Sequence, residues 1–318
     1  MRENHTSEGH TETSHTIESH TGTRRPGSAA PAINRQTLRQ RMKSYRRSPL
    51  SLILLLLVSL SALITVLTLL FLIAYILIKG VPYLTPGLFA WEYNSENVSL
   101  MPALVNTVIM TGLSLLIAGP LGVFAAIYLV EYAKRGNRLV ALVRVTAETL
   151  SGIPSIVYGL FGFLLFAVTL GWSYTIIGGA MTLAVMILPL IMRTTEEALK
   201  SVPDSYREGS FGLGAGRLRT VFQIVLPSAV PGILAGIILA VGRIVGETAA
   251  LMYTAGTVAG IPNNLFGSGR TLAVHMYVLT NEGLYTNQSY ATAVVLLFIV
   301  VCINALSGII AKKVAGRS

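Results

Sequence analysis

Two charged residues sit where charge is expensive. Arg243 and Glu247 lie four positions apart in Gly242-Arg243-Ile244-Val245-Gly246-Glu247-Thr248-Ala249-Ala250, inside a long apolar run. An unbroken helix would set them on one face. Charges at membrane depth cost at least about 2.5 kcal/mol each on insertion scales, so both must pair or face water. Two chemistries fit. One is a buried Arg–Glu clamp that serves structure alone. The other is an anion pathway in which Arg243 attracts the ion while Glu247 orients it and keeps the empty site near neutrality. A single Arg paired this way would pass an anion without holding it tightly. With Thr248 beside them, these residues are the candidate translocation path.

A second constellation is polar and Gly-broken. From Arg207 to Pro227 the chain holds Glu208, Gly214 six positions on, and Ile224-x-Leu226-Pro227. Pro203-Asp204 suits a helix start, since Pro fits the first turn and Asp meets the positive end of the dipole. Gly212, Gly214 and Gly216 then exclude a long helix. The expectation is a short helix, a turn and re-entry into the apolar phase, offered to a soluble partner. An amphipathic helix resting on the lipid interface is the alternative, with only Phe211 and Leu213 for its apolar face.

The elements that must position these groups are membrane spans. Of 318 residues, 53% are hydrophobic and 12% charged, about half the charge of a soluble domain. A span needs about 20 apolar residues. Runs meet this at 50–78, at 104–130, twice within 148–193 with a break at Gly171-Trp172-Ser173-Tyr174, at 221–254 and at 290–311. The expected fold is all-α and polytopic, with six transmembrane helices over 48–318 and a coupling loop at about 195–226. Lys and Arg gather in the loops on the side of the termini, which by the positive-inside rule is the cytoplasm. Gly119-Pro120, Gly152-Ile153-Pro154, Pro189, Pro227 and Pro231 interrupt helical hydrogen bonding, and four such interrupted spans suggest helices broken along a pathway. Glu148 and Arg193, at the ends of the 148–193 stretch, are second-tier path candidates, read alternatively as an interfacial cap and an orientation charge.

Residues 1–47 differ in kind. His5, His10, His15 and His20 each begin an H-T-x-x-x pentad among Ser, Thr, Glu and Gly. Nothing there can be buried to offset ordering entropy, so the segment reads as disordered. It lacks the apolar core of a cleaved signal, and Arg35 to Arg47 form a basic run before the first span. No metal site is expected, at His275 included. Cys302 is the single cysteine, which excludes an internal disulfide. No G-x-x-x-x-G-K-[ST] occurs, so P-loop ATP hydrolysis is excluded. Gly212-Leu213-Gly214-Ala215-Gly216 lacks the Lys and follows no strand.

The spacing of Glu208, Gly214, Ile224, Leu226 and Pro227 resembles the E-A-A-x3-G-x9-I-x-L-P motif of ABC importer permeases, with Gly209 and Ser210 replacing the two alanines. The V-G-R-x-x-G-E-T-A-A-L string at 241–251, together with the stretches at 147–162, 189–199 and 202–209, resembles the PstA family of phosphate permeases over roughly residues 50–311. That resemblance implies a type I importer architecture and a non-enzymatic transport subunit that binds no cofactor itself. It implies a second permease (PstC-like), two copies of a cytoplasmic ATPase (PstB-like) that hold ATP and Mg, and an extracytoplasmic phosphate-binding protein (PstS-like). The motif residues would form the coupling helix that docks into the ATPase. An ABC permease for sulfate, molybdate or phosphonate is the nearest rival. A secondary anion transporter or a sensory subunit stands further off.

Overall fold

The computed structural model describes residues 49–134 and 136–315, so the His-Thr tail, its expected disorder and the basic run lie outside the described residues. Two units divide at Val66–Leu67, within the first helix. All packing described below belongs to the second.

Among the described residues the chain forms helices and turns without a strand. α1 (Pro49–Gly80) is apolar around its whole circumference and leaves nearly all its side chains exposed. A helix of that kind needs lipid or another subunit around it. α2 (Met101–Ile127) continues through a wider π turn at Tyr128–Tyr132. α3 (Arg138–Ser151) starts where the Asn137 side chain accepts from the Leu139 N–H at 2.9 Å. Gly152-Ile153-Pro154 ends it, and α4 (Ser155–Gly162), with its π continuation to Thr169, leaves at 102° to α3. α5 (Ile176–Lys200) begins with Thr175 accepting from the Gly178 N–H. The polar turn folds as α6 (Asp204–Gly212) and α7 (Arg217–Thr220). A π turn at Val221–Val225 then joins α7 to α8 (Leu226–Val245), making one rod from Arg217 to Val245. α9 (Ala249–Thr254), α10 (Leu272–Glu282) and α11 (Thr286–Ala315) follow.

Five of these elements are long and apolar enough to cross a membrane, and the bent α3–α4 pair makes a sixth. The expected six is met only in this qualified way. Ser155–Thr169 rises about 22 Å, short of the roughly 30 Å hydrocarbon core. Glu148 therefore sits on the helix before the bend, not at the start of a span. The break at 171–174 is as expected, with Gly171 and Ser173 both at positive φ. Two expectations fail. Pro120, Pro189 and Pro231 lie inside continuous helices, as proline can in helices packed within a membrane bundle. Where Pro227 removes a donor, the preceding turn widens to π geometry and the rod runs on. The loop expected at 195–226 is also narrower, since α5 extends to Lys200 and the rod starts at Arg217.

α5 is the central helix, with Leu183, Ile187, Ile191 and Leu199 fully buried. It packs chiefly on α2 and α8. Gly122 against Ile191, Gly232 against Ala198 and Gly236 against Thr194 leave no room for a Cβ. Close approach of this kind supplies the dispersion contact that holds helices together in lipid. The Ser114 hydroxyl donates to the Ala180 carbonyl across the α2–α5 seam at 3.1 Å.

Arg207 fastens the polar turn to this core. Its Nη2 meets Glu131 at the end of the α2 rod at 2.7 Å and the Leu199 carbonyl at 2.9 Å. Nη1 donates to the Val202 carbonyl at 2.9 Å and to Asp204 at 3.1 Å, and Nε to Glu131 at 3.2 Å. The hydrogen bond to Glu131 raises its already high proton affinity, and burial opposes this. The guanidinium thus caps the Leu199 carbonyl in the last turn of α5 and the Val202 carbonyl just beyond it while pairing a carboxylate whose side chain is 9% exposed. Arg207→Ala is expected to destabilise the protein by about 3 kcal/mol, because it strands Glu131. Arg207→Lys should recover only a minor part, since one ammonium cannot reach these separate acceptors. Chemical unfolding of the purified protein measures both, and a wild-type midpoint for the Lys variant would refute the clamp.

Candidate functional site

The polar turn is a built corner. At the end of α6, Gly214 takes φ +81° with open space around it, so its left-handed conformation and not crowding requires glycine. The Gly214 N–H reaches the Phe211 carbonyl at 2.9 Å and the Ala215 N–H the Ser210 carbonyl at 3.1 Å. That pair of bonds is a Schellman ending. Ser210 and Thr220 then share a buried hydroxyl hydrogen bond of 2.8 Å, which holds α7 against α6. Gly214 and Ile224 line the same cavity of about 320 Å³ with Leu213, Arg219 and Gln223. Leu226 and Pro227 open α8, and Glu208 stands exposed on the α6 surface. Around it Tyr206, Phe211, Leu213 and Leu218 are all exposed, Leu213 at 92%. A clamped polar corner that projects apolar side chains outward has the composition of a docking surface.

Arg243 and Glu247 do not share a helical face, contrary to the sequence expectation. The apolar run to Thr254 hides a helix end at Val245, and Gly246-Glu247-Thr248 forms a break before α9. Glu247 turns inward, 8% exposed, and its Oε1 accepts from the Ala250 N–H at 3.1 Å, capping α9. Arg243 stays on the exposed side of α8 without an ion-pair partner among the described residues. The Arg–Glu clamp is therefore absent. Arg243 instead lies in the neighbourhood of Tyr158 of α4. Thr248 is half-buried in the break.

Glu148 and Arg193 come together. Both line a cavity of about 200 Å³ with Arg144, Pro189, Met192, Glu196, Glu197 and Lys200. Arg193 pairs with Glu197 at 3.2 Å, both exposed. Glu196 is nearly buried and joins Arg144 at 2.7 Å and Lys200 at 2.6 Å, tying α3 to α5. Glu131, Arg144 and Glu196 were not singled out as site residues from sequence, because the pairs Arg207–Glu131 and Arg144–Glu196 close across long chain separation, and the i, i+4 pair of Glu196 with Lys200 alone looks like an ordinary helix-surface contact. Among the described residues no three His, Cys, Asp or Glu side chains gather to hold a metal.

Comparison with known proteins bears on this arrangement. Residues 118–316 match the family described as binding-protein-dependent transport system inner membrane component. The chain is 38% identical over 228 residues to the probable ABC transporter permease protein YqgI of Bacillus subtilis, covering 67% of this chain and 77% of that one. It is 30% identical over 273 residues to the phosphate transport system permease protein PstA of Haemophilus influenzae, covering 83% and 95%. A solved structure of the bacterial alginate ABC transporter, in complex with alginate pentasaccharide-bound periplasmic protein, superposes with a TM-score of 0.62 at 16% identity over 86% of this chain and 97% of that one. That likeness gives the type I permease fold. The helices, the clamped corner and the sequence match agree, and the chain belongs to the binding-protein-dependent transport system inner membrane components, which are transport subunits and not enzymes.

Proposed function

We propose that the chain is a permease subunit of an ATP-driven importer of inorganic phosphate and forms its path by alternating access. The observation that carries the substrate is the near full-length relative named for phosphate transport, supported by the exposed, unpaired Arg243. A second, PstC-like permease completes the path, and a PstS-like extracytoplasmic protein delivers the ion. Two PstB-like ATPases bind ATP and Mg, which this chain does not. Both termini lie in the cytoplasm, in keeping with Lys134, Arg138, Arg144, Arg193, Lys200, Arg207, Arg217 and Arg219 at one end of the spans.

The ATPase grips the exposed edge of α6 and α7 around Glu208 and Leu213. Closure of the ATPases on ATP displaces this corner, and the Arg207 clamp carries the displacement into α2 and α5. The Arg217–Val245 rod moves with α7 and swings Arg243 at its far end. Phosphate released outside passes Arg243, and hydrolysis returns the path to inward-open.

Uptake of labelled phosphate in a deletion strain, with arsenate and sulfate as competitors, tests the reading. Competition by arsenate alone is expected, and uptake of sulfate in its place would overturn it. Arg243→Gln should lower uptake by about tenfold or more, the worth of a lost charge-assisted contact, with the complex still assembled. Glu247→Gln separates two roles, because its amide oxygen still accepts from Ala250. Lost uptake there reports the charge, and normal uptake leaves Glu247 a cap. Leu213→Asp and Glu208→Lys should weaken co-purification of the ATPase and uncouple its activity from the binding protein. Undiminished coupling in both would remove the docking assignment.

A further inference from the structure

Nine buried side-chain N or O atoms lack a hydrogen-bond partner among the described residues, and six of them belong to one neighbourhood: Asn106 Oδ1, Arg270 Nε and Nη2, Thr271 Oγ1 and both ring nitrogens of His275. Contacts knit these residues together. Asn106 Nδ2 donates to the Arg270 carbonyl at 3.2 Å and to the Gly260 carbonyl at 3.1 Å. Gly269 leaves no room for a Cβ against the Asn106 amide. The Tyr93 ring centroid lies 4.8 Å from Arg270 Cζ, and the ring meets His275 edge-on at 6.2 Å. Val98, with φ +46°, sets its backbone in a loose hydrogen-bonding contact with one imidazole nitrogen, which favours the protonated ring against the larger effect of burial. Asn106 is near the start of α2 and Glu131 at its end, so the cluster sits about 37 Å along the helix from the coupling corner.

Native proteins rarely leave buried polar atoms unmatched, and an unpaired guanidinium 4% exposed is the severe case. A structural anchor would explain the cation–π contact with Tyr93. It would not explain why two N–H donors on one edge of the guanidinium face no acceptor. Nε and Nη2 form the fork that matches two oxygens of an oxyanion, and the Thr271 hydroxyl adds a third donor. Of the others, Asn106 Oδ1 and one ring nitrogen of His275 are acceptors, and the second ring nitrogen carries an N–H. Burial and the nearby Arg270 charge hold the His275 pKa down at about 3, so the ring is neutral at physiological pH and presents one lone pair. Donors mixed with acceptors suit an oxyanion that carries its own proton. Hydrogen phosphate both accepts and donates, whereas sulfate only accepts.

We propose that Arg270, Thr271, Asn106 and His275 form a covered acceptor site for hydrogen phosphate at the end of the permease opposite the coupling corner, with Tyr93 as its cover. The proposal rests on the phosphate reading and adds a station before Arg243. In this conformation Tyr93 closes the site, and the anion enters when the Tyr93–Val98 segment lifts. The unmatched guanidinium biases the closed permease toward the loaded state.

The test uses the intact importer, purified with its second permease and ATPases, and follows its thermal unfolding with inorganic phosphate or sulfate. Phosphate should raise the midpoint of the wild type and sulfate should not. Arg270→Gln, which removes an unpaired buried charge, should assemble with an unchanged or higher midpoint in the absence of anion. It should lose the phosphate shift and lower labelled phosphate uptake by about tenfold or more. If that variant fails to assemble, Thr271→Val, which keeps the side-chain shape, carries the test and should weaken the shift. A shift retained in the variant, or an equal shift from sulfate in the wild type, overturns the site. So does a loss of binding-protein docking with the phosphate shift intact, because the occupant would then be a carboxylate of the docked protein. Wild-type uptake that does not depend on Arg270 sinks this site alone, whereas a wild type that takes up no phosphate sinks the transport reading itself.

Discussion

Arg207 is the point through which the permease can be pushed. A short helix on a Gly-broken turn would swing freely if only its peptide links held it. Here one guanidinium satisfies a carbonyl in the last turn of α5, one just past its end, the carboxylate at the end of the α2 rod and the first turn of α6 at once. Its planar fork fixes direction as well as distance. The corner cannot move without α2 and α5 moving too. The Schellman ending at Gly214 and the Ser210–Thr220 bond stiffen the same corner from the other side, so force enters a rigid block.

From that block two rods cross the bundle. α2 with its π extension runs from the coupling corner to Asn106, and the Arg217–Val245 rod runs from the corner to Arg243, about 39 Å along its axis. Both exceed the roughly 30 Å hydrocarbon core. The rod that begins at the exposed corner therefore carries Arg243 near its end, as the proposed coupling requires. Breaking that rod at Pro227 would have dissipated the motion. The π turn accommodates the proline without a break, which gives the irregular geometry a mechanical reason. The polar clusters at the two ends of α2 differ in one respect. At the corner the guanidinium fills its hydrogen bonds, as a fixed joint should. At Arg270 two donors stay unmatched, as suits a group awaiting a ligand.

What could be read from sequence follows from which forces are local. Span existence depends on length and apolarity, and both are written in the chain. The turn at Gly214 depends on a backbone conformation that glycine advertises, and the spacing to Ile224-x-Leu226-Pro227 made its family visible. The end of α8 was hidden because an apolar run looks the same whether its helix continues or stops, so the i, i+4 relation of Arg243 and Glu247 was inferred across a break. The four interrupted spans were overread for a related reason. Proline removes a donor locally, but neighbouring helices decide whether the rod breaks, and only Gly152-Ile153-Pro154 broke it. The ion pairs Arg207–Glu131 and Arg144–Glu196 join residues 76 and 52 positions apart, a separation no local pattern encodes.

The break at Gly246 also changes what Arg243 can do. A cation paired with Glu247 on one helix face would have been largely neutralised, and an anion would have had to compete with a tethered carboxylate. With Glu247 committed to the Ala250 amide, Arg243 keeps its charge for whatever lies beyond the exposed face of α8. In a single-chain view that face is open. Under the proposed function that face would look across at a second permease, where a lone cation attracts an anion but has no cage of donors to trap it. Transport needs that weakness. The proposed acceptor site around Arg270 is the donor-rich arrangement, suited to receiving an ion, and the face at Arg243 is the loose one, suited to letting it go.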